Sequence, residues 1–117
     1  MFYDNQIIFE DLRLRVNLDG NTTDCIYECK TYKHENGFKM PQKYLNQVQV
    51  QMFASGIHKA EIVAYGLTDR DYDNFFNPID TDRIQRIPVI YNGKWIKESY
   101  LPKLKYLSDC LKEGRFP

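Results

Sequence analysis

The sequence lacks an excess of charge of either sign, because 16 Lys and Arg residues balance 16 Asp and Glu residues among its 117 positions. A formal net charge of zero gives no overall basic field for binding nucleic acid, so any such contact requires a local patch. The sequence also lacks an apolar run near the roughly 20 residues that a membrane span needs, and it begins without a secretory pattern. We therefore expect no membrane partner.

Cysteine is scarce, and the three cysteines (Cys25, Cys29 and Cys110) do not have the spacing of a zinc or haem site. Three cysteines also exclude a four-cysteine iron–sulfur cluster within the chain. An odd number of cysteines without a secretory signal indicates reduced thiols, so we expect a cytosolic location. With 43% hydrophobic and 27% charged residues, the chain has the composition of one globular domain with a single core.

Alternating apolar and polar residues, helical periodicity and turn residues divide the chain into predicted strands and helices. The strands are expected over 2–10, 12–18, 25–31, 60–67 and 84–91, and the helices over 42–55 and 96–113. Asp19-Gly20-Asn21 is predicted to be the turn of an antiparallel hairpin, and Pro88 indicates an edge position or an irregularity in the last strand. The order β-β-β-α-β-β-α predicts an α/β or α+β fold, in which helices flank a small mixed sheet.

Three polar residues near the predicted hairpin are candidates for a cation site. Alternate side chains of an extended strand share a face, so Glu28 and Lys30 lie together while Cys29 points the other way. Asp19, in the preceding turn, supplies a second carboxylate. A hard cation such as Mg²⁺ takes one or two carboxylates together with water and a substrate phosphate, and Lys30 could orient the attacking water. The alternative, which these three residues alone favour, is a surface Glu–Lys pair beside a turn aspartate.

The predicted helix over 42–55 adds a glutamine to this candidate site. Its apolar arc is formed by Leu45, Val48 and Met52. At about 100° per residue, Gln49 lies close to this arc, whereas Gln47 lies on nearly the opposite side of the helix. Gln49 would then need hydrogen-bond partners on the face of the sheet that carries Glu28, or on the opposite face. Alternatively, Gln49 is a boundary residue bonded to solvent or to a backbone carbonyl, and Gln47 and Gln51 form a solvated face.

The order and spacing of these residues resemble a known family. The matching features are Asp19-Gly20, Glu28-Cys29-Lys30 and Tyr44-x-x-Gln47-x-Gln49-x-x-Met52. Together they resemble the PD-(D/E)XK nuclease superfamily and, within it, the YqaJ-like viral recombinase branch that includes the lambda-type 5′-to-3′ exonucleases. In that branch an Asp-Gly precedes a Glu-x-Lys strand, and a helix that opens with Tyr-x-x-Gln-x-Gln follows. The resemblance covers roughly residues 12–67.

This resemblance implies a restriction-endonuclease-like core and Mg²⁺- or Mn²⁺-dependent hydrolysis of DNA phosphodiesters. Asp19, Glu28 and the backbone carbonyl of Cys29 would hold the metal. Lys30 would position the nucleophilic water or stabilise developing charge. Gln49 would be the active-site glutamine and, with Asp19, Glu28 and Lys30, would complete the catalytic set.

Alternatives stay open for the DNA and metal contacts. The lysines of the loop and of the first helical turn could hold the DNA backbone, or they could belong to a solvated surface. These lysines are Lys33, Lys39 and Lys43. Asp24 lies four residues before Glu28 and is a rival to Asp19 as the metal ligand.

The resemblance also sets expectations for the whole protein. Residues 1–117 would form one nuclease-like domain without the N-terminal helical region that contributes another glutamate in the family. We expect a phage- or prophage-encoded exonuclease that acts on DNA in recombination or end processing in the host cytoplasm. Self-association into a homo-oligomer and a recombination partner protein are further expectations. The alternatives are a non-catalytic nuclease-fold module that binds DNA or a protein partner, and a plain structural domain.

Overall fold

One mixed sheet dominates the computed structural model, which describes residues 2–10, 12, 14–74, 76 and 78–116. Its strands lie side by side in chain order, β1-β2-β3-β4-β5. Neighbouring strands are antiparallel except for β3 and β4, which are parallel. The strands are β1 (Phe2–Phe9), β2 (Leu14–Asn21), β3 (Ile26–Lys33), β4 (Lys59–Leu67) and β5 (Ile84–Ile90).

The helices follow from this topology, since two parallel neighbouring strands need a crossover connection. Helix α1 (Gln42–Ser55) provides it between β3 and β4. It ends at Gly56, whose φ of 73° places it in the left-handed region, where its N–H bonds to the Met52 carbonyl at 3.1 Å. The other helical segments are α2 (Asp69–Asp73), α3 (Gly93–Trp95), α4 (Leu101–Glu113) and 3₁₀ turns at His34–Asn36 and Thr81–Arg83.

The last predicted helix begins earlier and is less regular than expected. Asn92 caps α3 by accepting the Trp95 N–H at 3.0 Å, and a π-helical turn over Ile96–Tyr100 joins α3 to α4. Pro102 lies in the first turn of α4, directly after this π-helical turn. Because proline has no N–H to donate to the turn before it, the regular α-helical bonding is interrupted at this point.

The core lies between α1 and one face of the sheet. It is formed by alternate residues of the strands and by the inner side of α1, namely Val16, Leu18, Ile26, Val48, Met52, Ala54, Ala60, Ile62 and Val89. Phe9 of β1 stacks on Phe53 of α1 with a ring-centroid distance of 5.9 Å. Since Ile26 is in this core, the period of two in β3 also places Glu28 beneath α1.

The prediction that Asp19-Gly20-Asn21 forms a turn is wrong, because β2 continues through Asn21. The reversal follows at Thr22, whose N–H bonds to the Cys25 carbonyl at 2.8 Å. The Thr22 hydroxyl accepts the N–H of Asp24 at 3.2 Å and that of Cys25 at 3.1 Å. A hydroxyl that binds the backbone two and three residues ahead stabilises the turn there.

The polar segment after β4 is anchored to the sheet by an ion pair. Thr68 and Asp71 form a capping box at the start of α2. Arg83 donates to the Asp71 carboxylate at 2.6 Å and to the Gly66 carbonyl at 2.8 Å. The hydrogen bond from Arg83 is the main cause that lowers the pKa of Asp71 to about 2, and the bonds from the Thr68 N–H and hydroxyl lower it further. The ion pair thus ties α2, at the start of this segment, to Arg83, directly before β5.

The architecture confirms the expected fold class. A mixed five-stranded sheet with helices and mostly antiparallel pairing is an α+β fold. Pro88 lies in β5, which is an edge strand, as predicted. Within the described ranges, no helix is long and apolar enough to cross a membrane.

Candidate functional site

The edge of β3 that faces β2 is largely unpaired. β2 pairs with β3 only at Ile26 and Tyr27, whereas β4 pairs with β3 along the whole range Ile26–Lys33. No other strand of the described sheet follows this edge. From Cys29 onward, backbone groups on this side of β3, which we call the open edge, are therefore available to side chains and ligands.

Asp19 lies where β2 separates from β3. The β1–β2 pairing omits Asp4 and Asp19, and Asp4 has an unusual φ of 51°, so the sheet is locally distorted here. The Asp19 Oδ2 atom accepts the N–H of Cys29 at 3.0 Å, in place of a strand carbonyl. Since the N–H and C=O of one strand residue point to the same edge, the Cys29 carbonyl also faces Asp19.

Glu28 is a buried carboxylate, with only 4% of its surface exposed. Its Oε2 atom accepts Gln51 Nε2 at 2.8 Å. Its Oε1 atom accepts Gln47 Nε2 at 3.0 Å and lies 3.3 Å from Lys30 Nζ. Two amides and one ammonium thus compensate for the removal of this carboxylate from water.

Lys30 is held by three neighbours from two elements. Besides Glu28, its Nζ atom donates to Gln47 Oε1 at 3.0 Å and lies 4.5 Å from the ring centroid of Tyr44. Gln47 therefore bonds to Glu28 with its nitrogen and to Lys30 with its oxygen. This arrangement fixes the distance between the carboxylate and the ammonium group, and it leaves the Lys30 side chain partly exposed.

Burial is the main cause that raises the pKa of Glu28, and the nearby negative charge of Asp19 raises it further. The hydrogen bond from Gln51 and the charge of Lys30 act in the opposite direction. Desolvation also raises the pKa of the Cys29 thiol, with further contributions from Asp19 and Glu28. The two carboxylates therefore create a region of negative potential at the open edge of β3.

The structure brings together Asp19, Glu28 and Lys30 but not Gln49. The Gln49 amide donates to the Ile90 carbonyl at 2.8 Å, and its oxygen accepts the Asn92 N–H at 2.7 Å. Gln49 therefore connects α1 to the end of β5, and the expectation that it lies with Glu28 is wrong.

The two other glutamines, Gln47 and Gln51, are the ones that contact Glu28, so the alternative that they form a solvated face is wrong. The arc predicted from apolar residues alone was centred too near Leu45, which is only half-buried. In the structure Val48 is fully buried and Gln51 is 2% exposed, so the buried side is rotated toward Gln51. Gln47 and Gln51 are one turn apart, a spacing that places two amides beside the two oxygens of one carboxylate. This i,i+4 spacing of two glutamines is the feature of the sequence from which their contact with Glu28 could have been predicted.

The three lysines predicted to bind DNA lie near one another but differ in their contacts. Lys33 forms an ion pair with Glu35 at 3.4 Å, and Lys43 lies 5.6 Å from the ring centroid of Tyr44. Lys33 and Lys39 both line a cleft beside Tyr44. Asp24, the rival metal ligand, is an exposed residue of the turn, and its N–H bonds to Thr22.

The possible protein ligands for a metal are few. Among the residues that the structure describes, no three His, Cys, Asp or Glu side chains are grouped closely enough to hold a metal ion. The available oxygen donors at the site are the carboxylates of Asp19 and Glu28 and the carbonyl of Cys29. A site of this type suits a cation that keeps most of its coordination for water and substrate.

The fold is similar to that of a known nuclease. A crystal structure of an alkaline exonuclease from Laribacter hongkongensis matches this chain with a TM-score of 0.62 at 19% sequence identity. The match covers 97% of this chain and 61% of the exonuclease chain. No protein-family model and no curated protein sequence matches this chain. The likeness shows the fold, in which the mixed sheet and α1 place the candidate site residues.

Proposed function

We propose that this protein is a metal-dependent nuclease that hydrolyses phosphodiester bonds in DNA. The observation that carries the proposal is the meeting of Asp19, Glu28 and Lys30 at the open edge of β3. An exposed Glu–Lys pair would need no buried support, whereas Glu28 is buried and bonded to two glutamines. The shared fold with an alkaline exonuclease supports a nuclease rather than another phosphate-binding function.

Mg²⁺ or Mn²⁺ would be held by Asp19, Glu28 and the Cys29 carbonyl. The donors fit a hard cation, which prefers oxygen and often takes only one or two carboxylates from the protein. Glu28 accepts from Gln47, Gln51 and Lys30, and a carboxylate has about four acceptor positions. One position therefore remains for the cation. When bound, the metal would supply Lewis acidity and would orient the scissile phosphate.

The other residues of the site would position groups and stabilise charge. The Lys30 ammonium would lie where negative charge develops on the phosphate and would orient the attacking water. Gln47 would hold Lys30 and Glu28 at a fixed distance from each other, because its amide bonds to both. Lys33, Lys39 and Lys43 would bind the DNA backbone beside the site.

At a finer level, we propose a YqaJ-like exonuclease of phage or prophage origin that acts in recombination or DNA end processing in the host cytoplasm. The support is the alkaline exonuclease whose fold this chain shares and the motif order from Asp19 to Met52. A homo-oligomer and a recombination partner protein belong to the same proposal.

Cleavage of linear DNA with Mg²⁺ or Mn²⁺ tests the proposal. We expect the wild type to degrade labelled duplex or single-stranded DNA, and EDTA to stop the reaction. Glu28→Gln and Lys30→Met should each lower the rate by roughly 100-fold or more, the effect of removing a group that stabilises transition-state charge. Glu61→Gln is the matched control, because Glu61 lies on the opposite face of β4 and pairs with Arg86 at 2.6 Å. Unchanged cleavage in both site variants would refute the proposed site.

A second candidate is a non-catalytic nuclease-fold module that binds DNA or a protein partner. Two observations favour it: the described site offers only two carboxylates, and Lys30 is already occupied by Glu28, Gln47 and Tyr44. Calorimetric titration with Mn²⁺ separates the two functions. Binding that is lost in Glu28→Gln supports the nuclease, whereas no binding at millimolar Mn²⁺ and no cleavage support the module.

A further inference from the structure

A second feature lies beyond Lys30, at the end of β3. It is a cleft of about 420 Å³ that is open to solvent. Its aromatic walls are Tyr32 of β3, Phe38 of the following loop and Tyr44 of α1, and Lys33 and Lys39 line it as well. We call it the aromatic cleft.

The walls of the aromatic cleft are fixed by packing. The rings of Tyr32 and Phe38 are 5.1 Å apart, with an angle of 41° between their planes. Gln85 donates to the Tyr32 hydroxyl at 3.4 Å. Tyr32 lies across Gly66 so closely that a Cβ at residue 66 would be 3.1 Å from the ring. Gly37, directly before Phe38, has a φ of 70° and a ψ of 169°, a backbone conformation that favours glycine.

The aromatic cleft is continuous with the candidate active site. Tyr44 is a wall of the cleft, and its ring is also the surface over which Lys30 Nζ lies at 4.5 Å. Along the strand, Thr31 lines the cleft and follows Cys29 by two residues, roughly 6.6 Å. A DNA strand with one phosphate beside Lys30 would therefore place a neighbouring nucleotide at the cleft.

The chemistry of the walls selects the part of that nucleotide that enters. Aromatic rings bind the flat faces of nucleobases by stacking, and this binding tolerates any base because every base has a π-face. Lys33 and Lys39 suit the charged backbone that accompanies the base. The paired bases of a duplex already stack on one another and cannot enter a cleft without leaving the helix.

We propose that the aromatic cleft is a base-stacking subsite that receives one nucleobase of an unpaired DNA strand, next to the phosphodiester that the Glu28–Lys30 centre cleaves. Phe38 and Tyr32 provide the stacking surface. The proposal rests on the proposed nuclease function for the identity of the substrate. It adds that the substrate strand must be unpaired at the cleft.

The test measures stacking directly and without cleavage. A single-stranded oligonucleotide with 2-aminopurine near its end is titrated with protein in EDTA, since stacking on an aromatic ring quenches this base. We expect quenching by the wild type and by Phe38→Trp, and its loss in Phe38→Leu together with roughly 5- to 150-fold weaker binding, the value of one base–aromatic stack. Phe76→Leu is the matched control, because Phe76 is 96% exposed and does not line the cleft.

An abasic nucleotide at the same position completes the test. In the wild type it should weaken binding as much as Phe38→Leu does, and the two changes together should cost no more than either alone. Equal quenching in Phe38→Leu and wild type, or additive losses with the abasic strand, would overturn the subsite. If quenching depends on Phe38 but no variant cleaves DNA with Mn²⁺, the subsite stands and the nuclease function fails. If the protein cleaves DNA but quenching does not depend on Phe38, the nuclease function stands and the subsite fails.

Discussion

Gln51 donates its side-chain amide to the Glu28 carboxylate at 2.8 Å and to the Asn17 carbonyl at 3.1 Å, inside the layer between α1 and the sheet. Both partners only accept, so they fix the orientation of the amide. In the described part of the chain, the Gln51 Oε1 atom is buried and has no hydrogen-bond partner. An unsatisfied buried acceptor costs about 1–3 kcal/mol, and this position tolerates that cost because Glu28 needs a buried donor.

Replacing Gln51 by Leu should therefore destabilise the protein through Glu28. The variant loses a bond to a buried charge but also loses the unsatisfied oxygen, so we expect the free energy of unfolding to fall by about 1–2 kcal/mol. Urea denaturation at pH 7 measures this loss. In a Glu28→Gln background the same substitution should cost less, because no buried charge remains.

Gln42→Leu is the control for this experiment, since Gln42 is an exposed residue of α1 that bonds to Asn46 at the surface. It should change stability by less than about 0.5 kcal/mol. If Gln51→Leu lowers the free energy of unfolding equally with and without the Glu28 carboxylate, Gln51 does not act through Glu28.

Gln47 and Gln49 should give opposite results when each is replaced by Ala. Gln49→Ala leaves the Ile90 carbonyl and the Asn92 N–H without their partner, so the free energy of unfolding should fall by about 1–3 kcal/mol while cleavage by the folded protein persists. Gln47→Ala affects an exposed residue, so water can replace its amide beside Glu28 and the loss of stability should be smaller than in Gln49→Ala. On the proposed function it should lower kcat by roughly 10- to 100-fold, the effect of removing a residue that orients a metal-ligating carboxylate.

Denaturation curves and single-turnover cleavage rates separate these two variants. The kinetic constants provide a second measurement besides stability. A positioning residue should affect kcat more than KM, so both constants are compared between each variant and the wild type. Gln47→Met keeps the size of the side chain and should resemble Gln47→Ala. Loss of cleavage in Gln49→Ala with an intact fold would restore Gln49 to the site.

The sequence predicted much of the fold because local patterns determine it. Alternation in β3 places Glu28 and Lys30 on one face whatever the rest of the chain does. Apolar residues also define α1, so that the element order and the α+β class follow. Which glutamine meets Glu28 depends instead on the rotation of α1 against the sheet. A buried polar residue such as Gln51 is not visible to a search for an apolar arc.

Asp19 shows a second limit of local reasoning. Asp-Gly is typical of tight turns, but Gly20 and Asn21 pair with β1, so β2 continues to Asn21. The turn moves to Thr22, whose hydroxyl binds two backbone N–H groups. That change places the Asp19 carboxylate beside the Cys29 N–H, a contact that depends on three strands and therefore cannot be read from any one of them.

Asp71 should make stability depend on pH in the acid range. Its pKa is about 2 in the folded protein against an ordinary value of 3.8, chiefly because of the bond from Arg83. A carboxyl with a depressed pKa favours the folded state above its unfolded pKa, and this contribution is lost as the pH falls from about 4 to 2. Asp71→Asn should therefore be less stable than the wild type at pH 7, and the difference should shrink across that window.

Thermal unfolding at several pH values between 2 and 7 measures this effect. Asp73→Asn, an exposed position on the same short helix, is the control and should follow the wild type throughout. If the difference in stability between Asp71→Asn and the wild type stays constant down to pH 2, the ion pair of Asp71 with Arg83 does not cause the pH dependence of stability.

Gly66→Ala should disturb the aromatic cleft through Tyr32. An added Cβ would lie 2.8 Å from His34 Nδ1 and 3.1 Å from the Tyr32 ring. The exposed His34 can move away, but Tyr32 is held by Phe38 and Gln85, so we expect a loss of about 1–3 kcal/mol in unfolding free energy from overpacking. Urea denaturation of Gly66→Ala in wild-type, His34→Ala and Tyr32→Leu backgrounds identifies the residue that clashes. The loss should persist without His34 and should largely disappear without the Tyr32 ring; relief by His34→Ala alone would instead show that Tyr32 is free to move.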